Sequence, residues 1–284
     1  MPPCTMIEPL ADILIEPVVR AALAEDLGRA GDITSAATID ADARLSATFA
    51  SRKAGVVAGL ACARIAVLAL DPAATFEPVA RDGDERQAGA LARVEANARA
   101  LLSAERVALN LLGRLSGIAT LTRAYVDAVA GTGAAITDTR KTTPGLRALE
   151  KYAVRCGGGV SHRFGLDDAI LIKDNHVAAA GGVAAAIRRA KAAAGHLVKV
   201  ECEVDSLAQL DEALAEQPDV VMLDNFSLVE MRAAVSLAKG KVTLEASGGV
   251  NLETVRAIAE TGVDVISVGA LTHSAPALDI SLDA

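Results

Sequence analysis

Tryptophan is absent from this chain of 284 residues, and only two tyrosines and four phenylalanines stand in its place. Stacking platforms for bases are therefore missing. A formal net charge of -8 also removes the basic footprint that a nucleic-acid partner needs, so none is expected. Long apolar runs are lacking too: 52% of the residues are hydrophobic, but the excess is mostly alanine, and no run of 18 or more apolar residues is free of charge. No membrane span is expected. The cysteines are few and scattered (Cys4, Cys62, Cys156, Cys202), with no C-x-x-C pair. That argues against a zinc cluster or a disulfide framework, fits a reducing compartment, and leaves all four as expected small buried hydrophobes. The opening residues Met-Pro-Pro-Cys-Thr-Met-Ile-Glu contain no basic region followed by an apolar stretch, so no signal peptide is visible and the cytoplasm is the expected location.

What is present is an uneven distribution of charge. Asp138-Thr-Arg-Lys-Thr-Thr-Pro-Gly-Leu-Arg147 puts three cationic side chains among threonine hydroxyls directly after a short apolar run. From Asp138 to Lys173 seven Lys/Arg (140, 141, 147, 151, 155, 163, 173) face four acids (138, 150, 167, 168), a net +3 inside an acidic protein. A local site for a small anion is the simplest physical reading. The alternative, a capped turn with solvated charges, holds equally well for that segment taken alone.

The length predicts one large α/β domain or two unequal ones. Residues 7 to 27 read as a helix ending near Gly28, and Gly31-Asp-Ile-Thr34 as a turn. Strands are expected at 45–50, 55–59, 75–79 and 91–96, with an Ala-rich helix running to Leu70, which suggests an antiparallel sheet with helices. From Arg99, apolar residues at helical spacing from Leu101 to Ile118 predict a long helix. Gly113 and Gly117 within it cost about 1 kcal/mol each against alanine, so they mark a break or a close contact.

Beyond residue 130 strands alternate with helices: 134–138, 169–173, 197–204, 219–223, 242–246 and 264–268. Such βα repeats form a parallel sheet, doubly wound or closed into a barrel. Lys199, Glu201 and Glu203 share one face of a strand whose other face is Val198, Val200, Cys202 and Val204. A sheet covered by helices on both faces does not tolerate that many charges, whereas the mouth of a barrel does. The strand endings are polar six times in succession: Thr139-Arg140-Lys141, Lys173 to His176, Glu203, Asp224-Asn225, Glu245 to Gly249, and Gly269 to His273. In a barrel they converge where active sites of this architecture sit. Ser247-Gly248-Gly249 and Gly269-Ala270 suit a phosphate held by backbone N–H groups, with tight βα turns as the alternative and Asn251 as a helix cap. Glu203 and Asp224 suit Mg²⁺, ribose hydroxyls or a developing cation. Lys141 and Lys173 suit anions or Schiff-base chemistry. His162 adds a donor beside Arg163, and His196 reads as a helix-end residue.

The motifs Asp138 to Arg147, Gly158-Gly-Val-Ser-His-Arg-Phe-Gly-Leu166, Ile172-Lys-Asp-Asn-His176, Val221-Met-Leu-Asp-Asn-Phe226, Leu244-Glu-Ala-Ser-Gly-Gly-Val250 and Val265-Ile-Ser-Val-Gly269 closely resemble the quinolinate phosphoribosyltransferases, also called carboxylating nicotinate-nucleotide pyrophosphorylases. The likeness extends to Glu25-Asp-Leu-Gly28, Glu105 to Asn110, Ser116 to Thr120 and Ala275 to Asp279, so it covers essentially the whole chain. It implies an N-terminal α/β sandwich domain over 1–108, completed by the tail 276–284, and an incomplete α/β barrel catalytic domain over 109–275. It implies a homodimer or higher oligomer with sites completed across subunits. The implied reaction joins quinolinate and phosphoribosyl pyrophosphate, with Mg²⁺, into nicotinate mononucleotide, pyrophosphate and CO₂ in NAD biosynthesis.

Carried over by position, Arg140, His162 and Arg163 would hold the quinolinate carboxylates, with Arg106 arriving from a neighbouring subunit and Arg52 as a further contact across it. Lys141 and Lys173 would serve the anionic substrates, and Glu203 and Asp224 the ribose and metal. Thr139 and His273 join the substrate-binding set, and Ser247 to Gly249 with Gly269-Ala270 would take the 5-phosphate. Three rivals remain: the molybdenum-transport-associated paralogue of the same fold, a Schiff-base aldolase using Lys173, and a non-catalytic phosphosugar-binding protein. The complete arginine and histidine set favours quinolinate over the paralogue.

Overall fold

The computed structural model describes residues 7–238 and 240–284. In chain order the strands are β1 (Arg44–Ser51), β2 (Gly55–Val56), β3 (Thr75–Pro78), β4 (Glu85–Arg86), β5 (Gly89–Asn97), β6 (Ala135–Thr137), β7 (Ile170–Ile172), β8 (Val200–Val204), β9 (Val220–Asp224), β10 (Thr243–Ser247), β11 (Val265–Ser267) and β12 (Ile280–Asp283). The helices are α1 (Asp12–Leu27), α2 (Ile33–Thr38), α3 (Leu60–Leu70), α4 (Ala98–Ala128), α5 (Arg147–Cys156), α6 (Asp174–Ala180), α7 (Val183–Ala193), α8 (Leu207–Glu216), α9 (Leu228–Ala238), α10 (Val255–Ala259) and α11 (Ala270–His273). Two compact units emerge. One comprises the chain up to Arg123 with Thr142–Gly158 and Leu271–Ala284; the other comprises Ala124–Lys141 and Gly159–Ala270.

The first unit is built on an antiparallel sheet of order β12-β1-β5-β3. Period-two alternation puts Ala47, Phe49 and Ser51 of β1 inside, and Phe49 meets the ring of Phe76 at 5.9 Å between centroids. α1 buries Ile15, Val19 and Leu23, one stripe at four-residue spacing, and packs on α3. The long helix runs unbroken through both glycines, so of the two expected causes the close contact holds. A Cβ on Gly113 would lie 2.9 Å from the Leu278 carbonyl oxygen, and one on Gly117 would overlap the backbone of Pro276. Only glycine lets the tail lie against α4, where the Leu278 N–H also donates to the Gly113 carbonyl at 2.9 Å.

The second unit is a sheet of six parallel strands in the order β6-β11-β10-β9-β8-β7. Its first strand pairs with its last while the others pair in sequence, and only a sheet that curls round on itself does so. Between β6 and β7 there is no ladder among the described residues, so the barrel is incomplete; Val160 adds a single parallel bridge to Thr137.

Several local expectations change. Gly31 to Thr34 is not simply a turn: Asp32 accepts the Ser35 N–H at 3.0 Å and caps α2. The second strand stops at Val56, and the 197–204 strand starts only at Val200, because Gly195 to Val198 closes a turn first. Lys199 therefore precedes the strand and is exposed rather than facing the interior with Glu201 and Glu203. Arg147, Lys151 and Arg155 fall in the segment belonging to the first unit, so the +3 of the sequence window is not all local to one site. Cys62, Cys156 and Cys202 are buried and free as expected, and burial pushes each thiol up to about 12; Cys4 lies outside the described residues.

Candidate active site

The barrel strands point one parity inward. Leu171 and Lys173, Glu203, Met222 and Asp224, Glu245 and Ser247, and Ser267 line a cavity of about 710 Å³ together with Thr139, Arg140, Lys141, His162, Arg163, Asn225, Gly248 and Gly249. Eleven of the sixteen residues expected at the site thus meet there: Thr139, Arg140, Lys141, His162, Arg163, Lys173, Glu203, Asp224, Ser247, Gly248 and Gly249. Gly269 and Ala270 belong to the same unit but do not line it. Arg52, Arg106 and His273 belong to the other unit: Arg52 pairs with Asp283 at 2.8 Å, Arg106 lies 3.9 Å from Glu105, and His273 Nδ1 lies 2.6 Å from Ser274 Oγ.

One wall is cationic. Asp138, fully buried at the end of β6, accepts the His162 N–H at 3.0 Å and so ties the loop carrying His162 and Arg163 to the strand that carries Arg140. Arg163 donates to the Ala169 carbonyl at 3.2 Å; burial and then the adjacent Arg140 guanidinium weaken its hold on its proton. The buried Nε atoms of both Arg140 and Arg163 have no hydrogen-bond partner among the described residues. Two neighbouring guanidinium groups with unsatisfied donors are unfavourable until an anion with several oxygens lies between them.

The same cavity carries carboxylates. Lys173 Nζ donates to Glu203 Oε2 at 2.5 Å. The Lys173 N–H donates to His176 Nδ1 at 2.9 Å, which sets the turn into α6. Asp224 accepts from the Asn225 amide at 2.8 Å. Glu203 and Asp224 end adjacent strands, with Glu203 in register with Met222. His162 and Glu245 of the lining meet Glu201 in a buried trio. His162 Nε2 is 3.1 Å from Glu201 Oε2 and 3.7 Å from Glu245 Oε1, while its Nδ1 accepts the Arg163 N–H at 2.8 Å. Burial and the Glu201 charge push the Glu245 carboxyl up to about 7, with His162 opposing. One atom from each of the three lies within 4.8 Å of the others.

Past β10 the chain turns through Gly248 at φ +93° and Gly249 at φ +60°. At Gly248 a Cβ would overlap Asn225 Oδ1, so both the dihedral and the space require glycine, and the turn meets the cavity with backbone in place of a side chain. Asn251 Oδ1 accepts the Glu253 and Thr254 N–H groups, capping the turn before α10 rather than the helix itself. A further cavity, about 770 Å³, lies in the first unit. Its lining is largely apolar around Asp82, to which Tyr152 donates at 2.8 Å, and it has none of the cation clustering an anionic ligand needs.

Sequence reasoning named Glu201 for its strand face and Glu245 for its strand end but gave neither a role, and it did not single out Ser267 or Met222. The signal was available: each shares the inward parity of an assigned neighbour two residues away on its own strand, except Ser267, whose strand carries none.

Comparison with known proteins gives the same grouping. Residues 118–283 match the model of the quinolinate phosphoribosyl transferase C-terminal domain, and residues 32–116 that of its N-terminal domain. The chain is 51% identical over 274 residues to the nicotinate-nucleotide pyrophosphorylase [carboxylating] of Mycobacterium leprae, covering 93% of this chain and 95% of that one. It is 43% identical over 284 residues to quinolinate phosphoribosyltransferase [decarboxylating] 1b of Nicotiana tabacum, covering 93% and 81%. Among solved structures, the nicotinate-nucleotide pyrophosphorylase of Francisella tularensis superposes with a TM-score of 0.93 at 41% identity, covering 98% of each chain. Matched along both of its domain models and over nearly its full length, the chain belongs to the quinolinate phosphoribosyltransferase family.

Proposed function

We propose that the barrel cavity transfers a phosphoribosyl group from phosphoribosyl pyrophosphate to quinolinate and decarboxylates the product, giving nicotinate mononucleotide, pyrophosphate and CO₂ for NAD biosynthesis. The observation that carries this reading is the Arg140–Arg163 pair, whose unsatisfied Nε donors suit a planar dicarboxylate, in the same cavity as carboxylates suited to a cation. A dianion and a polyphosphorylated sugar repel each other, and a cationic wall lowers the cost of bringing them together.

Arg140 and Arg163 hold the quinolinate carboxylates, and Lys141 the reacting anions. Lys173, paired with Glu203 in the free protein, guides the pyrophosphate side once substrate is bound. Loss of pyrophosphate leaves an oxocarbenium-like ribose, which Glu203 and Asp224 stabilise. Attack by the pyridine nitrogen on the ribose carbon makes a ring cation. The carboxylate next to that nitrogen then departs as CO₂, its bonding electrons remain on the ring carbon stabilised by the cation, and a proton completes the product. The Ser247 to Gly249 turn suits the 5-phosphate. Two carboxylates on neighbouring strands fit Mg²⁺, which takes one or two protein carboxylates and completes its shell with substrate phosphates and water. Bound between Glu203 and Asp224, the ion would supply charge neutralisation of the pyrophosphate.

The exposure of Arg106 and its single long contact favour a role outside its own subunit, in a dimer or larger homo-oligomer. Three buried free thiols suit work in the cytoplasm. The aldolase reading is disfavoured because Lys173 is held in an ion pair, where its nitrogen offers no lone pair to a carbonyl. The test is incubation with quinolinate, phosphoribosyl pyrophosphate and Mg²⁺ while following CO₂ and nicotinate mononucleotide; a folded sample without turnover would sink the proposal. Mixing inactive Arg106→Ala with inactive Lys141→Ala protein should restore partial activity, and failure in a demonstrably mixed oligomer counts against the shared site.

A further inference from the structure

We propose that Glu245 is a positioning residue for the dicarboxylate: lining the cavity close to His162 and Glu201, it holds a proton, so that one of two buried carboxylates is neutral where the substrate's own carboxylates bind. The inference rests on the reading of this cavity as the quinolinate site. Glu201 and Glu245 are both buried, at 7% and 4% exposure, and each presents an Oε1 with no hydrogen-bond partner among the described residues. Two buried carboxylates that share a single imidazole do not both ionise readily. A proton on Glu245 removes one of the two charges and converts an orphan acceptor into a donor, which is the economical way to satisfy the pair.

The ring geometry gives that proton a purpose. His162 Nδ1 accepts from the Arg163 N–H, so the ring proton sits on Nε2 and points at Glu201 Oε2. Both ring nitrogens are thereby engaged within the protein. The ring thus fixes the Arg163 backbone, and with it the guanidinium that shares the anion site with Arg140.

The groups that face Glu245 are identifiable from each neighbouring element. They are Glu201 from β8, His162 from its loop, Asp138 from the end of β6, and the Ser267 hydroxyl from β11. On β9 its register partner is the uncharged Met222. Its carboxyl is pushed up to about 7, so ionisation places a new negative charge under a dianionic substrate as pH rises through neutrality. The consequence is selective: quinolinate binding weakens with rising pH, while phosphoribosyl pyrophosphate, held at the lysines and the glycine turn, is much less affected.

The experiment measures KM for each substrate from pH 6 to pH 9 in the wild-type enzyme with Mg²⁺ and in Glu245→Gln, which imitates the protonated carboxyl. Wild-type turnover establishes the activity itself, so its absence refutes the parent reading and not this one. The wild-type quinolinate KM is expected to rise roughly tenfold across the range, as expected for one unit charge felt through a partly screened site. In Glu245→Gln that rise should be absent. Retention of the wild-type rise in Glu245→Gln overturns the proposal, as does a pH-dependent change that falls equally on both substrates. Should Glu245→Gln fail to fold, the wild-type profile decides alone: a flat quinolinate KM overturns the proposal, and a rise centred near pH 7 without a matching rise for phosphoribosyl pyrophosphate supports it.

Discussion

Replacing Arg140 with methionine should make the free protein more stable and the enzyme worse. In the free protein, Arg140 stands beside Arg163, its charge lowers that neighbour's proton affinity, and its own buried Nε has no acceptor. An unsatisfied buried donor costs about 1–3 kcal/mol, and methionine fills similar volume without one. Lost packing by the guanidinium offsets part of this, so a net gain of about 1 kcal/mol is expected, which raises the melting temperature by roughly 2–4 °C for a protein of this size. With quinolinate bound the balance reverses. A charge-assisted hydrogen bond is worth about 1.5–3 kcal/mol, so losing the Arg140 contact should raise the quinolinate KM roughly 10- to 100-fold. The KM for phosphoribosyl pyrophosphate should move far less. Thermal denaturation and steady-state kinetics with each substrate varied make the comparison. A variant that melts lower than wild type, or that loses affinity equally for both substrates, would refute the assignment of this arginine pair as an unfilled dicarboxylate clamp.

Other outcomes follow from the same geometry. Gly117→Ala should lower stability by about 2–3 kcal/mol although alanine favours a helix by about 1 kcal/mol, because the new Cβ overlaps the backbone of Pro276; Gly113→Ala, with a 2.9 Å contact, should cost less, and a raised melting temperature for Gly117→Ala would contradict the close-packed tail. Gly248→Ala meets both a φ of +93° and the Asn225 side chain, so about 1–3 kcal/mol of strain should appear as a raised KM for phosphoribosyl pyrophosphate with little change for quinolinate. The Glu245 carboxyl also links stability to pH. Its folded value of about 7 exceeds the ordinary 4.5, so between those values the folded protein binds more protons than the unfolded chain and stability falls as pH rises, by roughly 3 kcal/mol in all. Denaturant titrations at pH 5 and pH 8 should show that loss in the wild type and a reduced one in Glu245→Gln. Borohydride treatment with a carbonyl substrate should trap no adduct on Lys173, and mass spectrometry would detect one if the ion pair with Glu203 were not maintained.

Much of the second unit was legible as a one-dimensional pattern. Short β-branched runs alternating with alanine-rich helical stretches announce βα repeats, and each run ended in a polar group because the strand ends there. Glu203, Asp224 and Ser247 could be found in this way since parity and position along a strand are local properties. Chain order alone left open whether the parallel sheet was doubly wound or closed, and that was decided by the pairing of β6 with β11 across 130 residues of sequence, a contact set by the coiling of the whole sheet. The two roles suggested for Gly113 and Gly117 were likewise separated only by the tail returning to lie on α4.

The sequence by itself determined the composition of the anion site, the secondary structure that presents it and the family motifs, because charge, periodicity and glycine placement act over a few residues. Tertiary structure decided which of the seven cations in the 138–173 window meet. It put Arg140, Lys141, Arg163 and Lys173 at one cavity and assigned Arg147, Lys151 and Arg155 to the other unit. It also decided that Glu201 and Glu245, 44 residues apart in the chain, face a single imidazole. Burial and mutual repulsion are properties of groups brought together by the fold, so the protonation of Glu245 has no signature in the linear sequence.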